Sequence, residues 1–150
     1  MRIMVCGAED WMDEATVQRE IMLLAPGVVL HTAAPGFGAI VAYVATMAAC
    51  VEGRSLVVVP FHADPTRDGK LAEAFRDSRM IAEGRPHQGL AFGPLYQPMA
   101  QGTHRRTDLG DVVAKMIDAH VPVRWIPDPD STAQDLVEMP PPMPTRQEGG

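Results

Sequence analysis

A chain of 150 residues and 16.3 kDa holds one ordinary domain rather than two. A formal net charge of −6, from 13 basic and 19 acidic side chains, excludes the basic stripe of a dedicated nucleic-acid binder, and 46% hydrophobic content excludes a wholly disordered chain. Two cysteines, Cys6 and Cys50, both in apolar runs, make neither a disulfide framework nor a zinc cluster, so a reducing, cytoplasmic setting is expected.

The opening Met1-Arg2-Ile3-Met4-Val5-Cys6-Gly7 is too short for a signal-peptide core and is soon followed by acidic residues, so no targeting segment is expected. Arg2–Cys6 reads as a first strand ended by Gly7. Asp10 or Asp13 is placed to cap the next helix, whose apolar positions Val17, Ile21 and Leu24 keep helical spacing until Pro26-Gly27. Val28–His31 is a second strand, continuous in apolar residues as a strand buried on both faces is. Thr32–Gly36 leads into a helix reaching Val51. This apolar run, Gly36–Val51, falls short of the roughly 20 residues of a membrane span, so it is expected to be a buried helix and not an anchor.

Leu56–Pro60 is the third strand. Lys70–Glu83 follows as a helix with Leu71, Phe75 and Met80 toward the core, and Gly89–Phe92 as a fourth strand. After a long loop come a helix from about Asp108 to His120 and a fifth strand, Pro122–Ile126. Alternation of this kind implies a Rossmann-like, doubly wound α/β sheet of about five mainly parallel strands with helices on both faces. It spans residues 1–127. From 128 to 150 the proline-rich composition reads as a tail, with one short helical turn near Ala133–Val137.

In open parallel sheets ligands bind beyond the carboxyl ends of the strands, where helix N-termini present unpaired N–H groups. That rule selects Gly7–Trp11, His31–Gly38, Pro60–Asp68, Gly93–Thr107 and the segment after Ile126. The turn from Thr32 through Ala33, Ala34, Pro35, Gly36 and Phe37 to Gly38 allows close backbone approach to an anion. It is neither a P-loop nor a dinucleotide fingerprint, and it also serves as a plain tight connection.

Met1 to Trp11, with Gly7-Ala8-Glu9-Asp10-Trp11 after the strand, resembles the opening of small SLOG-superfamily proteins of the YspA type. These are relatives of the DNA-processing DprA and cytokinin-activating LOG proteins, and their usual start is a strand followed by Gly-Gly-Arg-Asp-Trp. The family's second motif, His-Gly-Gly-Ala-Arg-Gly-Ala-Asp, falls on His31–Gly38. The third, a helix with Arg-Asn and a following Met, falls on Arg76, Asp77 and Met80. The last, Arg-Gly-Thr-x-Asp, falls on Arg106-Thr107-Asp108 through Asp111. The resemblance covers residues 1–126 and implies a Rossmann-like fold with a nucleotide pocket. In this chain Glu9 stands where the family has Arg, Thr32-Ala33 replace its paired glycines, and Asp77 replaces Asn.

The pocket implied by resemblance and glycine turns together comprises Gly7, Ala8, Asp10, Trp11, Ala33, Ala34, Gly36, Gly38, Arg76, Arg106 and Thr107. Asp10 would face sugar hydroxyls and Trp11 would be a stacking wall; an N-cap with a hydrophobic anchor is the equal alternative. Arg76 and Arg79 share a helix face and could reach one anionic group, and His104–Thr107 is the densest basic cluster, either a phosphate clamp or a solvated loop. The five histidines show no metal-ligand spacing, and His31 reads as a structural residue. No serine or cysteine nucleophile motif occurs, and no cofactor or metal is expected.

The expected function is non-catalytic binding of a nucleotide-derived small molecule. One alternative is N-glycosidic cleavage of nucleotides of the phosphoribohydrolase kind, with Asp10, Glu9 or Asp111 as the acidic residue. Another is a structural or assembly protein with a degenerate pocket. The helix of residues 37–51, apolar all round, is expected to be buried on every side and to mediate a homodimer, the neighbouring helix being its alternative cover.

Overall fold

The computed structural model describes residues 1–51 and 53–142. In chain order these form β1 (Arg2–Gly7), α1 (Glu14–Leu24), β2 (Val28–Thr32), α2 (Phe37–Val51), β3 (Val57–Phe61), α3 (Pro65–Asp68), α4 (Ala72–Gly84), β4 (Gln88–Phe92), β5 (Tyr96–Pro98), β6 (His104–Arg106), α5 (Asp108–Asp118), β7 (Val123–Ile126) and β8 (Gln134–Leu136). The main sheet has six strands in the order β3-β2-β1-β4-β7-β8, while β5 and β6 make a separate hairpin. The first five strands in that order are parallel, and β8 adds antiparallel to β7. β1 lies between β2 and β4, with Val5 opposite His31 on one side and Leu90 on the other, so the winding reverses between β1 and β4. The doubly wound α/β fold is thus present, with one strand more than the five expected.

Alternation along β1 divides the core. Ile3 and Val5 pack with Val17, Ile21, Val41 and Val44 under α1 and α2. Met4 and Cys6 face the other way, with Met80, Val113 and Met116 under α4 and α5. Both faces are covered, which is why the strand carries apolar residues at consecutive positions. Asp13, not Asp10, caps α1: its carboxylate accepts from Thr16 N at 3.1 Å.

β3 is an edge strand. Val57 N bonds to Gly27 O, and Phe61 O accepts from Ala33 N, so the odd-numbered residues pair with β2. Val58 and Pro60 therefore turn their main chain to the open edge, where proline has no N–H to offer.

Three expectations are corrected. α4 starts at Ala72 and turns Arg76, Asp77 and Met80 inward; Leu71 and Phe75 lie outside, 58% and 47% exposed. The neighbouring helix does not cover the outer side of α2: Val41, Val44, Ala45 and Ala48 face the core, while in the single chain Tyr43 and Met47 are 57% and 41% exposed. The segment near Ala133–Val137 is the strand β8 and not a helical turn, because β7 offers it an open edge and Leu136 fills the core beneath. The supposed tail thus continues the sheet past residue 127, and Tyr96 Oη donates to Pro140 O at 2.7 Å. Residues 143–150 of that tail lie outside the described residues. Among the described residues no helix is long and apolar enough to cross a membrane.

Candidate functional site

The crevice between β1 and β4 is where a doubly wound sheet usually takes its ligand. Here aromatic rings fill it. Phe37 lies over Gly7 so closely that a Cβ there would come within 2.6 Å of the ring. Phe37 and Trp11 both pack on Phe92, with ring centroids 5.6 and 5.3 Å away. Trp11 is buried, and its Nε1 donates to Asp13 O at 3.0 Å. Ala8 N donates to Phe92 O at 2.8 Å, and a Cβ on Gly93 would meet the Ala8 side chain. The first two strand-to-helix turns do converge, since Gly36 (φ +81°) sits against Glu9 O. Gly7, Ala8 and Trp11 are thereby packing surfaces around an aromatic plug.

Open space remains beside it, past the end of β2. A cleft of about 390 Å³ is lined by His31, Ala33, Ala34, Pro35, Gly38, Ala39 and Ala42. Gly38 makes this geometry possible, because its Cα lies against the Thr32 carbonyl and any side chain would collide with it. Ile40 N bonds back to Gly36 O, so the N–H groups before it have no partner within the helix. No acidic residue occupies the first turn of α2, and the positive end of the helix dipole is left uncompensated there.

His31 is the polar side chain of this cleft. It is 5% exposed, and its Nδ1 is 2.7 Å from Thr32 O. A carbonyl only accepts, so Nδ1 carries the proton and Nε2 of the neutral ring is an acceptor. Burial pushes the His31 pKa down, the bond to Thr32 opposes this, and His62 adds to the lowering. The imidazole is therefore neutral at pH 7, ready to accept from an N–H or O–H group. The cleft thus sets one neutral acceptor beside the first turn of α2.

The other expected residues lie elsewhere. Asp10 is exposed on the turn before Trp11. Arg76 is buried under α4, on the opposite face of the sheet, with Nη2 3.1 Å from the Asp77 carboxylate. Burial pushes the Asp77 pKa up against the opposing pull of Arg76, and burial pushes the Cys6 thiol up as well, which makes it a poor nucleophile. Arg79 donates to His62 O, while Arg76 is engaged by Asp77. Arg106 pairs with Asp111 at 3.1 Å. Thr107 caps α5, accepting from Gly110 N at 3.0 Å while donating to Pro94 O at 2.7 Å.

Of the expected pocket, then, Ala33, Ala34 and Gly38 line one cleft, while Gly36 sits beside Glu9 O. Sequence reasoning set His31 aside as structural and missed Ala39 and Ala42. The signal for them was positional: a polar residue ending an apolar strand, followed by small residues at the start of a helix. Comparison with protein-family models, curated proteins and solved structures gives no match to this chain.

Proposed function

We propose that the chain binds a small nucleotide-derived anion in the His31 cleft and does not cleave it. The observation that carries this reading is the near-complete burial of His31 against a cleft that also receives the uncompensated N-terminus of α2. A phosphate would accept from the backbone N–H groups, and a ligand hydroxyl would donate to His31 Nε2. A volume near 390 Å³ stands at the low end of ligand pockets, roughly 300–1,000 Å³, and suits one nucleotide better than two. The resemblance to SLOG-superfamily proteins supports the same ligand class.

Non-catalytic binding is favoured over N-glycosidic cleavage because none of the residues lining the cleft carries a carboxylate. Asp10 is not among them, and Asp111 is held by Arg106. Self-association through α2 and a cytoplasmic location complete the proposal, supported by the exposed apolar side chains of that helix and by two free cysteines.

Calorimetric titration with AMP, with adenosine as the arm lacking phosphate, tests the reading. AMP is expected to bind with a dissociation constant of about 1 mM or tighter and adenosine at least about tenfold more weakly, a difference of about 1.4 kcal/mol. Ala34→Asp, which brings a carboxylate into the cleft, should weaken AMP by a similar factor with unchanged melting temperature. No binding at millimolar AMP, or equal affinity in Ala34→Asp, would overturn the proposal.

A further inference from the structure

We infer that the cavity between α3 and the outer side of α4 is a second binding site, which takes a small monocarboxylate carrying an aromatic ring. The cavity holds about 370 Å³ and is lined by Arg67, Asp68, Phe75, Ser78, Arg79 and Ala82. That volume falls within the roughly 300–1,000 Å³ of small-molecule sites. The last four residues recur at helical spacing, on the side of α4 turned away from the buried Met80. None of the six lines the His31 cleft, so the two sites are separate.

An unmet donor in the wall calls for the ligand. Arg79 Nε is buried and has no hydrogen-bond partner among the described residues, a state that buried N–H groups rarely keep. Arg79 Nη2 donates to His62 O. The carboxylate in the lining cannot serve Arg79 as well, because Arg67 holds both oxygens of Asp68, through Nε and Nη2, at 3.0 Å each. Arg67 and Asp68 cancel, and Arg79 leaves the wall with one net positive charge. Arg79 is only partly buried, and turning its guanidinium on its flexible stem brings the Nε edge to a carboxylate seated in the cavity. A dianion fits less well, since Asp68 faces the same space. Ser78 offers the ligand no hydrogen, as its hydroxyl donates to Ala74 O at 3.1 Å and accepts from Lys115 Nζ at 3.3 Å. The body of the ligand goes to Phe75 and Ala82: the Phe75 ring is 47% exposed, and an aromatic ring laid on it removes apolar surface from water.

Titration of the full chain with phenylacetate, followed by NMR of the backbone amides and of the arginine Nε–H groups, tests this. Signals of residues 67–82 and the Arg79 Nε–H signal should shift together and saturate with a dissociation constant of about 1 mM. Phenylethanol, which lacks the charge, and acetate, which lacks the ring, should each bind at least about tenfold more weakly, and phenyl phosphate more weakly than phenylacetate. Arg79→Gln and Phe75→Ala should each weaken phenylacetate at least about fivefold, the second at a half-exposed position where circular dichroism should not change. Ala34→Asp, in the other cleft, should leave phenylacetate binding as it is.

No shift in residues 67–82 at about 10 mM phenylacetate would overturn the inference. So would equal binding of phenylethanol, tighter binding of phenyl phosphate, or affinity unchanged in both Arg79→Gln and Phe75→Ala. Loss of phenylacetate binding in Ala34→Asp would place the acid in the His31 cleft and overturn it as well.

Discussion

Arg76 and Asp77 are adjacent on α4 and both buried, 7% and 6% exposed, so each neutralises a charge the core could not hold alone. The guanidinium reaches Asp77 Oδ1 through Nε at 3.2 Å and Nη2 at 3.1 Å. Desolvation opposes ionisation of Asp77 and Arg76 favours it, which makes the pair a matter of mutual dependence and not of large net stabilisation. Asp77→Asn should therefore destabilise the fold by about 3 kcal/mol in urea titration, because it strands the buried guanidinium. Arg76→Met together with Asp77→Asn should recover most of that loss. If the double variant is as unstable as the single one, the pair acts through packing instead. His31 follows a related logic with the opposite result: its ring stays neutral, so burial costs little and Nε2 is left able to act.

Among the elements, β3 shows how a parallel sheet ends safely. Its Val57-Val58-Val59 run is apolar, and a free edge of that composition invites pairing with other chains. Pro60 blunts it without disturbing β2, since the proline nitrogen faces outward. Pro60→Thr restores an outward N–H; light scattering at 37 °C should show aggregation rising severalfold while the melting temperature moves little. Unchanged scattering would show that the edge is guarded by something else. β1 and β2 were legible in the sequence because consecutive apolar residues report burial on both faces, and β3 because valine favours the extended chain even at an exposed edge. β8 was not legible: Gln134-Asp135-Leu136 has little strand preference of its own, and the open edge of β7 imposes its conformation. The aromatic plug escaped notice for the same reason of distance. Nothing local to Gly7 announces that Phe37 will occupy the space its missing side chain leaves. The cleft was half legible, as Ala33, Ala34 and Gly38 follow from the strand-to-helix turn whereas His31 depended on which way the end of β2 faces.

At the scale of the whole molecule, the two ends of the sheet are managed differently. One edge is blunted by Pro60, and the other is covered by chain that doubles back. β8 lays Leu136 against Val123 and the α5 side of the core, and Asp135 comes 3.8 Å from Arg124, whose other partner is the buried Glu20 at 2.7 Å. Pro140 O takes the Tyr96 hydroxyl and ties the same segment to the β5–β6 hairpin. Removing residues 128–150 therefore uncovers β7 and the apolar floor under Leu136. Loss of that one side chain alone costs about 2 kcal/mol, and the lost ladder bonds add to it. Calorimetry of a chain ending at Pro127 should show a melting temperature lower by about 10 °C, with the parallel strands still folded by circular dichroism. The exposed β7 edge should also bring concentration-dependent aggregation, read by light scattering. A shortened chain that melts with the full one would show that the sheet closes on β7 unaided, and that β8 is an ornament on an already finished core.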